Sequence, residues 1–431
     1  MLTSGAVVEL VIEKPAAGGR MIARHDGQVV LVSGAIPGER VRAQIGRVDR
    51  SVAYAAAVEI LGASADRRPV AGDPFCGGCV YAHVAYSRQL DLKREVVLDA
   101  FRRIGKLTID GPVPVEASIE IGYRMRAGVT ARGGRLGFFR EGTHEICDAA
   151  ATGQLLPETG RVLADVASAL SELRASYVAS IELTENMAAD QRVLHIELRP
   201  ESGTPPAAFS TLARIAGVTG VTCFAPPNRD AIVLGGRPAV ADPVAAIVGA
   251  DAAEGGAMLT RRATTFFQAN RYLLPTLVSR VIPWIGNGPV VDLYAGVGLF
   301  AVALAATGHA HVIAVEGDRT SGADLAENAR PFADRLRVRR TSVEAFLDGY
   351  EGEPAETLLV DPPRTGMSRE AVDGIVDHGA RRVVYVSCDV ATLARDIGRL
   401  VQAGYAIAHL EAFDLFPNTA HVESLVVLER R

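Results

Sequence analysis

Apolar and polar positions alternate with period two through the first sixty residues. The runs AVVELVIEK (6–14), GQVVLVSG (27–34), ERVRAQIGRV (39–48) and AYAAAVEILG (53–62) are separated by glycine-bearing turns. Strands of this length and spacing predict a small antiparallel β-barrel over 1–64. Residues 66–82 read as a linker ending in the CxxC of FCGGC, and 86–105 has helical apolar spacing at Leu90, Val97, Leu98, Phe101 and Ile104. The stretch to 265 mixes strands with a helix around 158–175, giving a central α+β region over 65–265 whose first helix is expected to pack on the last third. Helix 270–284 then leads into seven strand candidates at 289–294, 311–317, 337–342, 357–363, 382–388, 406–415 and 422–430. The first five alternate with helical stretches such as 299–306, 320–332 and 368–379, which predicts a doubly wound, mostly parallel sheet over 266–431. Only FPNTAH joins the last two, so they form an antiparallel hairpin. The fold class is therefore multidomain α/β.

The chain has 431 residues, enough for two to four domains at roughly 100–200 residues each. With 48% hydrophobic and 22% charged residues it can build a core, which excludes wholesale disorder. No apolar run is long enough to predict a membrane span, and no secretory signal is visible at the N-terminus. Residues 1–110 hold 15 Lys and Arg against 12 Asp and Glu, a balance of +3; the remainder holds 30 against 38, a balance of −8. Arg20, Arg24, Arg40, Arg42, Arg47 and Arg50 stud the barrel segment. Basic barrels of this kind bind single-stranded nucleic acid, and a purely structural barrel fits the segment equally well. Five cysteines, an odd number, point away from a disulfide framework and toward the cytoplasm.

Candidate chemistry concentrates at strand ends of the last third. In VVDLYAGVGLFA, Asp292 ends a buried run and Gly296 and Gly298 form a G-x-G turn that opens a helix. Such a turn lets the backbone approach a nucleotide-like ligand, either NAD or S-adenosylmethionine. Glu316 ends the next run and is placed to accept hydrogen bonds from ribose hydroxyls. An acid at the head of the turn favours S-adenosylmethionine, because it repels a pyrophosphate. Asp361 of DPPR ends the fourth run. Cys388 ends the fifth, just ahead of a helix, where its thiol is expected to have a lowered pKa. Glu423 opens the last run behind His421. A carboxylate entering a buried strand is costly unless paired or used, which makes it a candidate general base.

Taken together, FFQAN (266–270), DLYAGVG (292–298), VDPPRTG (360–366), VSCDVATLARD (386–396) and HVESLVVLER (421–430) resemble the RNA 5-methyluridine (uracil-C5) methyltransferase family. The resemblance extends over nearly the whole chain. It implies a seven-stranded Rossmann-like methyltransferase domain behind an RNA-binding, OB-like TRAM barrel. It also implies that Cys388 is the nucleophile and Glu423 the base, with S-adenosyl-L-methionine held by Gln268, Tyr294, Gly296, Gly298, Glu316 and Asp361. The partner is then structured RNA, 23S rRNA or tRNA, with no membrane; a monomer in the cytoplasm is the expectation.

One motif departs from the family. Many members bind an iron–sulfur cluster through four cysteines. Cys76 and Cys79 match the central pair, but the first position falls near Val70 and the last on Thr152, with Cys147 offset. A four-thiolate site is thus not expected. The remaining options are structural thiols, or zinc held with help from His83 or Cys147. Cys223 reads as core. Two other classes compete with the enzyme: a non-catalytic RNA-binding or chaperone protein on the same scaffold, and an NAD-dependent enzyme on the same glycine turn. The second leaves the thiol and carboxylates at the strand ends unexplained.

Overall fold

A computed structural model describes residues 2–70, 72–199, 207–224, 231–249 and 256–431. The period-two segment closes into a five-stranded barrel of β1 (Val7–Pro15), β2 (Met21–His25), β3 (Gln28–Ser33), β4 (Arg40–Val48) and β5 (Val52–Gly62), in the order β1-β2-β3-β5-β4. One more strand is present than the four expected runs. The MIARH of β2 offers only Met21 and Ala23 to the interior, too short an alternation to stand out. Leu10, Ile12, Val30, Val32, Val41, Ala43 and Ile45 fill the barrel together with them. Register shifts in β1 and between β4 and β5 bend the strands enough to close so small a sheet. Glu39 is fully buried at one end. It accepts bonds from the backbone N–H of Ile36 and Ser64 and from both Nε and Nη2 of Arg67. Burial pushes its pKa up, but Arg67 and the two backbone donors outweigh that and hold it below the usual carboxylate range.

Helix α1 (Tyr86–Ala100) continues into a π-helical turn, Phe101–Gly105, and is followed by the two-residue strand β6 (Val115–Glu116). The central sheet comprises β7 (Arg126–Arg132), β8 (Arg135–Phe139), β9 (Ile146–Asp148), β10 (Val178–Glu185), β11 (Arg192–Leu198), β12 (Gly220–Phe224) and β13 (Ala231–Gly236). Its order is β13-β12-β11-β10-β7-β8-β9, and α2 (Pro157–Glu172) lies across one face, burying Val162, Leu163, Val166 and Leu170. A hairpin of β14 (Ala239–Pro243) and β15 (Met258–Arg262), with α3 (Val244–Val248) between its strands, leads to α4 (Leu274–Val281).

The last third alternates strand and helix: β16 (Val290–Leu293), α5 (Leu299–Ala306), β17 (Val312–Val315), α6 (Arg319–Asn328), β18 (Leu336–Arg339), α7 (Val343–Asp348), β19 (Thr357–Val360), α8 (Arg369–His378), β20 (Arg382–Ser387), α9 (Val390–Gln402), β21 (Tyr405–Phe413) and β22 (Glu423–Arg430). The central strands β16, β19, β20 and β22 are buried on both faces. Val290, Leu359, Val384 and Val427 face one core, while Val291, Leu358, Val383 and Val426 face the other, as strand periodicity requires. The sheet order is β18-β17-β16-β19-β20-β22-β21-β6. It has eight strands; the eighth, β6, comes from the central region and pairs in parallel with β21. Val97 and Phe101 of the α1 segment join the second core. Asp318, Ser342, Ser368 and Asp389 cap α6, α7, α8 and α9, so these helices start at the carboxyl edge of the parallel strands.

Candidate active site

Strand register aligns the chemistry along that edge. Leu293 pairs with Val315 on one side and Val360 on the other, so Tyr294, Glu316 and Asp361 each stand one residue beyond the sheet. Tyr294 adopts a left-handed φ of 61°, a strain that a non-glycine residue retains only where the surroundings impose it. Gly296 has φ 58°, and a Cβ built on it meets nothing within 4 Å. Its open side is the cradle that a close-approaching ligand needs. Gly298 has φ 96° and packs tightly, a Cβ there lying 2.7 Å from Leu325. The Glu316 carboxylate accepts bonds from Gly296 N (2.7 Å) and Asp318 N (2.6 Å), which fixes its orientation.

Asp292 does not face a ligand at the turn. It is buried beneath it, and Oδ2 caps α5 by accepting from Ala301 N at 3.0 Å. Burial, then the charges of Asp361 and Glu316, drive its pKa well up, while Oδ1 has no partner among the described residues. Buried beneath the turn and bonded to Ala301 N, Asp292 is not the exposed charge on which that ground for preferring S-adenosylmethionine rested. Asp361 is pushed up to about 7 by burial, against the opposing hydrogen bond of Gln268. Gln268 sits between anchored neighbours. The Phe267 ring lies 4.0 Å beneath the Arg261 guanidinium, and Asn270 bonds Ser118 and the Leu415 carbonyl.

The hairpin brings the last two candidates together. β22 runs antiparallel to β20 and pairs Ser424 with Ser387. Its first residue, Glu423, therefore lies at the carboxyl end of β20, opposite the position of Cys388. Glu423 is 1% exposed and its Oε1 has no partner among the described residues. Burial and the neighbouring Asp361 raise its pKa well above the usual range, and Arg364 opposes them. Cys388 is half-buried. Contrary to expectation its thiol is pushed up to about 12, by burial first and by Glu423, with Arg364 acting in the other direction. Asp389 spends its side chain on capping α9, and desolvation outweighs what the helix terminus supplies.

The cysteine region also differs from expectation. Cys76 and Cys147 form a disulfide with Cα atoms 5.7 Å apart. The bridge of Cys76 to Arg140, which adjoins β8, and the β8–β9 pairing bring these distant positions side by side. Cys79 packs against them as a buried free thiol. His83 turns toward the barrel, its Nε2 lying 3.2 Å from the Ala35 carbonyl, so it does not join the thiols. Among the described residues no group of three or more His, Cys, Asp or Glu is arranged to hold a metal ion.

Residues 262–431 match the tRNA (uracil-5-)-methyltransferase family, and residues 2–58 match the TRAM domain. A 23S rRNA (uracil(1939)-C(5))-methyltransferase of Halomonas elongata is 33% identical over 98% of this chain and 89% of its own length. The chain belongs to the RNA uracil-C5 methyltransferase family. Its relative of the same description in Pseudomonas putida is also 33% identical, over 99% of this chain and 94% of that one. The tRNA (uracil-54, C5)-methyltransferase of Pyrococcus abyssi, solved with S-adenosyl-L-homocysteine, shares the fold with a TM-score of 0.75 at 21% identity, covering 97% of this chain and 99% of that one. Among the described residues no helix is long and apolar enough to cross a membrane.

Within this uracil-C5 methyltransferase, Arg364 is the site residue that sequence reasoning passed over. DPPR drew attention for its Asp and its two prolines. Arg364 is nonetheless the cation that opposes the raised pKa of both Cys388 and Glu423. Its place three residues after a strand-end Asp was the available signal.

Proposed function

We propose that this enzyme methylates C5 of a uridine in structured RNA, using S-adenosyl-L-methionine, with Cys388 as nucleophile and Glu423 as base. The observation that carries the reading is the β20–β22 register, which brings to one edge, beside Asp361 and Arg364, a thiol and a buried carboxylate whose Oε1 has no partner among the described residues. Large-subunit rRNA is the favoured substrate, because the full-length relatives at 33% identity are named for it. In this reading residues 1–64 and 65–265 hold RNA and 266–431 carries the chemistry on a Rossmann-like sheet.

Gln268, Tyr294, Glu316 and Asp361, with the open side of Gly296, fit the methyl donor. When bound, S-adenosylmethionine supplies an electrophilic methyl group on a sulfonium. The protein must make uracil C5 nucleophilic. The Cys388 thiol gives its proton to solvent and its sulfur adds to C6, while the C5–C6 π electrons move toward the C4 carbonyl oxygen, giving an enolate with electron density at C5. Once C5 is methylated, Glu423 removes the C5 proton, and the re-forming C5–C6 double bond expels the Cys388 thiolate. Burial holds the Cys388 thiol up near 12 and raises the Glu423 carboxyl above its usual range. Arg364 favours both ionised forms. The target base has to leave its stack to reach this edge.

The test is to incubate the protein with methyl-labelled S-adenosylmethionine and total RNA from cells lacking it, then map the labelled nucleosides. Label in 5-methyluridine at a large-subunit position supports the reading. Label in tRNA corrects the substrate, and label in another nucleoside overturns the base assignment.

A further inference from the structure

Away from the strand edge, two cavities of about 490 and 410 Å³ adjoin on the central sheet and share Gly134, Arg135, Leu136, Ala167 and Ser171. They form one groove between the β7–β8 hairpin and α2. Among the described residues four arginines line it, Arg132, Arg135, Arg174 and Arg199, against one carboxylate, Asp148. That carboxylate is engaged with Ala150 N at 2.9 Å. The acids of α2, Glu158, Asp165 and Glu172, are not among the lining residues.

Two local features are unfavourable to the protein alone. Arg132 and Arg135 face each other directly across the Gly133–Gly134 turn, and like charges so paired destabilise a hairpin. Arg174 holds a left-handed φ of 51° just past the end of α2, where glycine is the usual residue. Both place a guanidinium in the same groove. Among the described residues Arg132 and Arg199 bond backbone carbonyls, of His144 and Ser176, which orient the cations without cancelling their charge. Arg135 and Arg174 have no ion pair among the described residues.

We infer that this groove is a second RNA-binding surface, taking the phosphate backbone of the substrate at a distance from the target base. The inference rests on the proposed RNA substrate. β7 links the two places: Arg126 at its start lies over Phe266, two residues before Gln268, and Arg132 at its end reaches the groove. Six strand steps set the separation at about 20 Å. Phosphates between Arg132 and Arg135 remove the repulsion that the free hairpin carries. The small and apolar residues of the floor accept sugar faces.

The experiment compares the wild type with Arg135→Glu/Arg174→Glu and Arg135→Lys/Arg174→Lys. Binding to a large-subunit rRNA transcript is read by filter retention across a salt series, and methyl incorporation is read in parallel. The Glu pair should bind at least tenfold more weakly, and its log–log salt slope should fall by about 2, one per lost phosphate contact. The Lys pair should keep both. Wild-type affinity and slope in the Glu pair overturn the inference. So does equal weakening in the Lys pair with an unchanged melting temperature, because charge is then not the determinant. Wild-type binding without methyl transfer defeats the proposed reaction while the slopes still judge the groove.

Discussion

Arg364→Gln removes the cation that favours the Cys388 thiolate. Its effect follows from Coulomb's law. A unit charge about 4 Å away is worth about 4 kcal/mol at an effective dielectric of 20 and about 1 kcal/mol in water. Arg364 is exposed, so the lower end applies. About 1–1.5 kcal/mol corresponds to roughly one pKa unit. With the wild-type thiol near 12, the thiolate fraction at neutral pH lies on the exponential part of its titration curve. One unit upward therefore lowers it about tenfold at every pH short of the pKa. In the proposed reaction the reacting form is the deprotonated one, so activity should rise with pH, and losing Arg364 should move that rise to higher pH. Expected are a tenfold lower kcat/KM at neutral pH, recovery on the alkaline side, and near wild-type behaviour in Arg364→Lys. Alkylation of Cys388 by iodoacetamide gives a second readout, since the other free thiols, Cys79 and Cys223, are buried. Superimposable alkylation and kcat/KM profiles for Arg364→Gln and wild type would refute the electrostatic role.

Cys388→Ala should abolish turnover yet keep donor binding measurable by calorimetry, and loss of that binding would contradict the division of roles. Glu423→Gln should let a denaturant-resistant protein–RNA adduct accumulate, visible as a retarded band on a denaturing gel. Glu39→Gln should lower stability by about 2 kcal/mol at neutral pH. The wild-type advantage is present above the unfolded carboxylate pKa and is lost as pH falls through the lowered folded value, so urea midpoints of the two proteins should converge in acid. Lys93 and Asp414 form a fully buried ion pair beneath the loop that precedes Glu423. Lys93→Met, which removes the cation beside buried Asp414, should cost about 3–5 kcal/mol, and adding Asp414→Leu should recover most of it in the same urea assay.

The last third was legible because its central strands are buried on both faces. VVDL, TLLV and RVVYVS read as short apolar runs, and the brevity of FPNTAH forced the hairpin. That hairpin also explains why a residue at the start of a strand belongs at the carboxyl edge. β6 was not legible, because two residues have no period and only the pairing partner at Ala412 and Phe413 makes them a strand. The acidity of Cys388 depends on desolvation and on Glu423, which is 35 positions away in sequence, so the local argument from a helix terminus gave the wrong sign. The Cys76–Cys147 pairing spans 71 residues and follows from the β8–β9 register, which no cysteine spacing encodes.

The position of α1 has a consequence for the order in which the protein is made. Leu92 on this helix belongs to the barrel core, whereas Val96, Val97 and Phe101 belong to the core of the last sheet. The partners of that second set on α9 lie roughly 300 residues further along the chain. At about 5–20 residues per second, a ribosome takes some 15–60 s to deliver them. During that interval the helix is held on the barrel by one side and offers the other, apolar, to the cell. Premature termination anywhere before α9 leaves that face uncovered. A nascent chain of this protein therefore presents a chaperone with a defined client surface, which disappears when α9 docks.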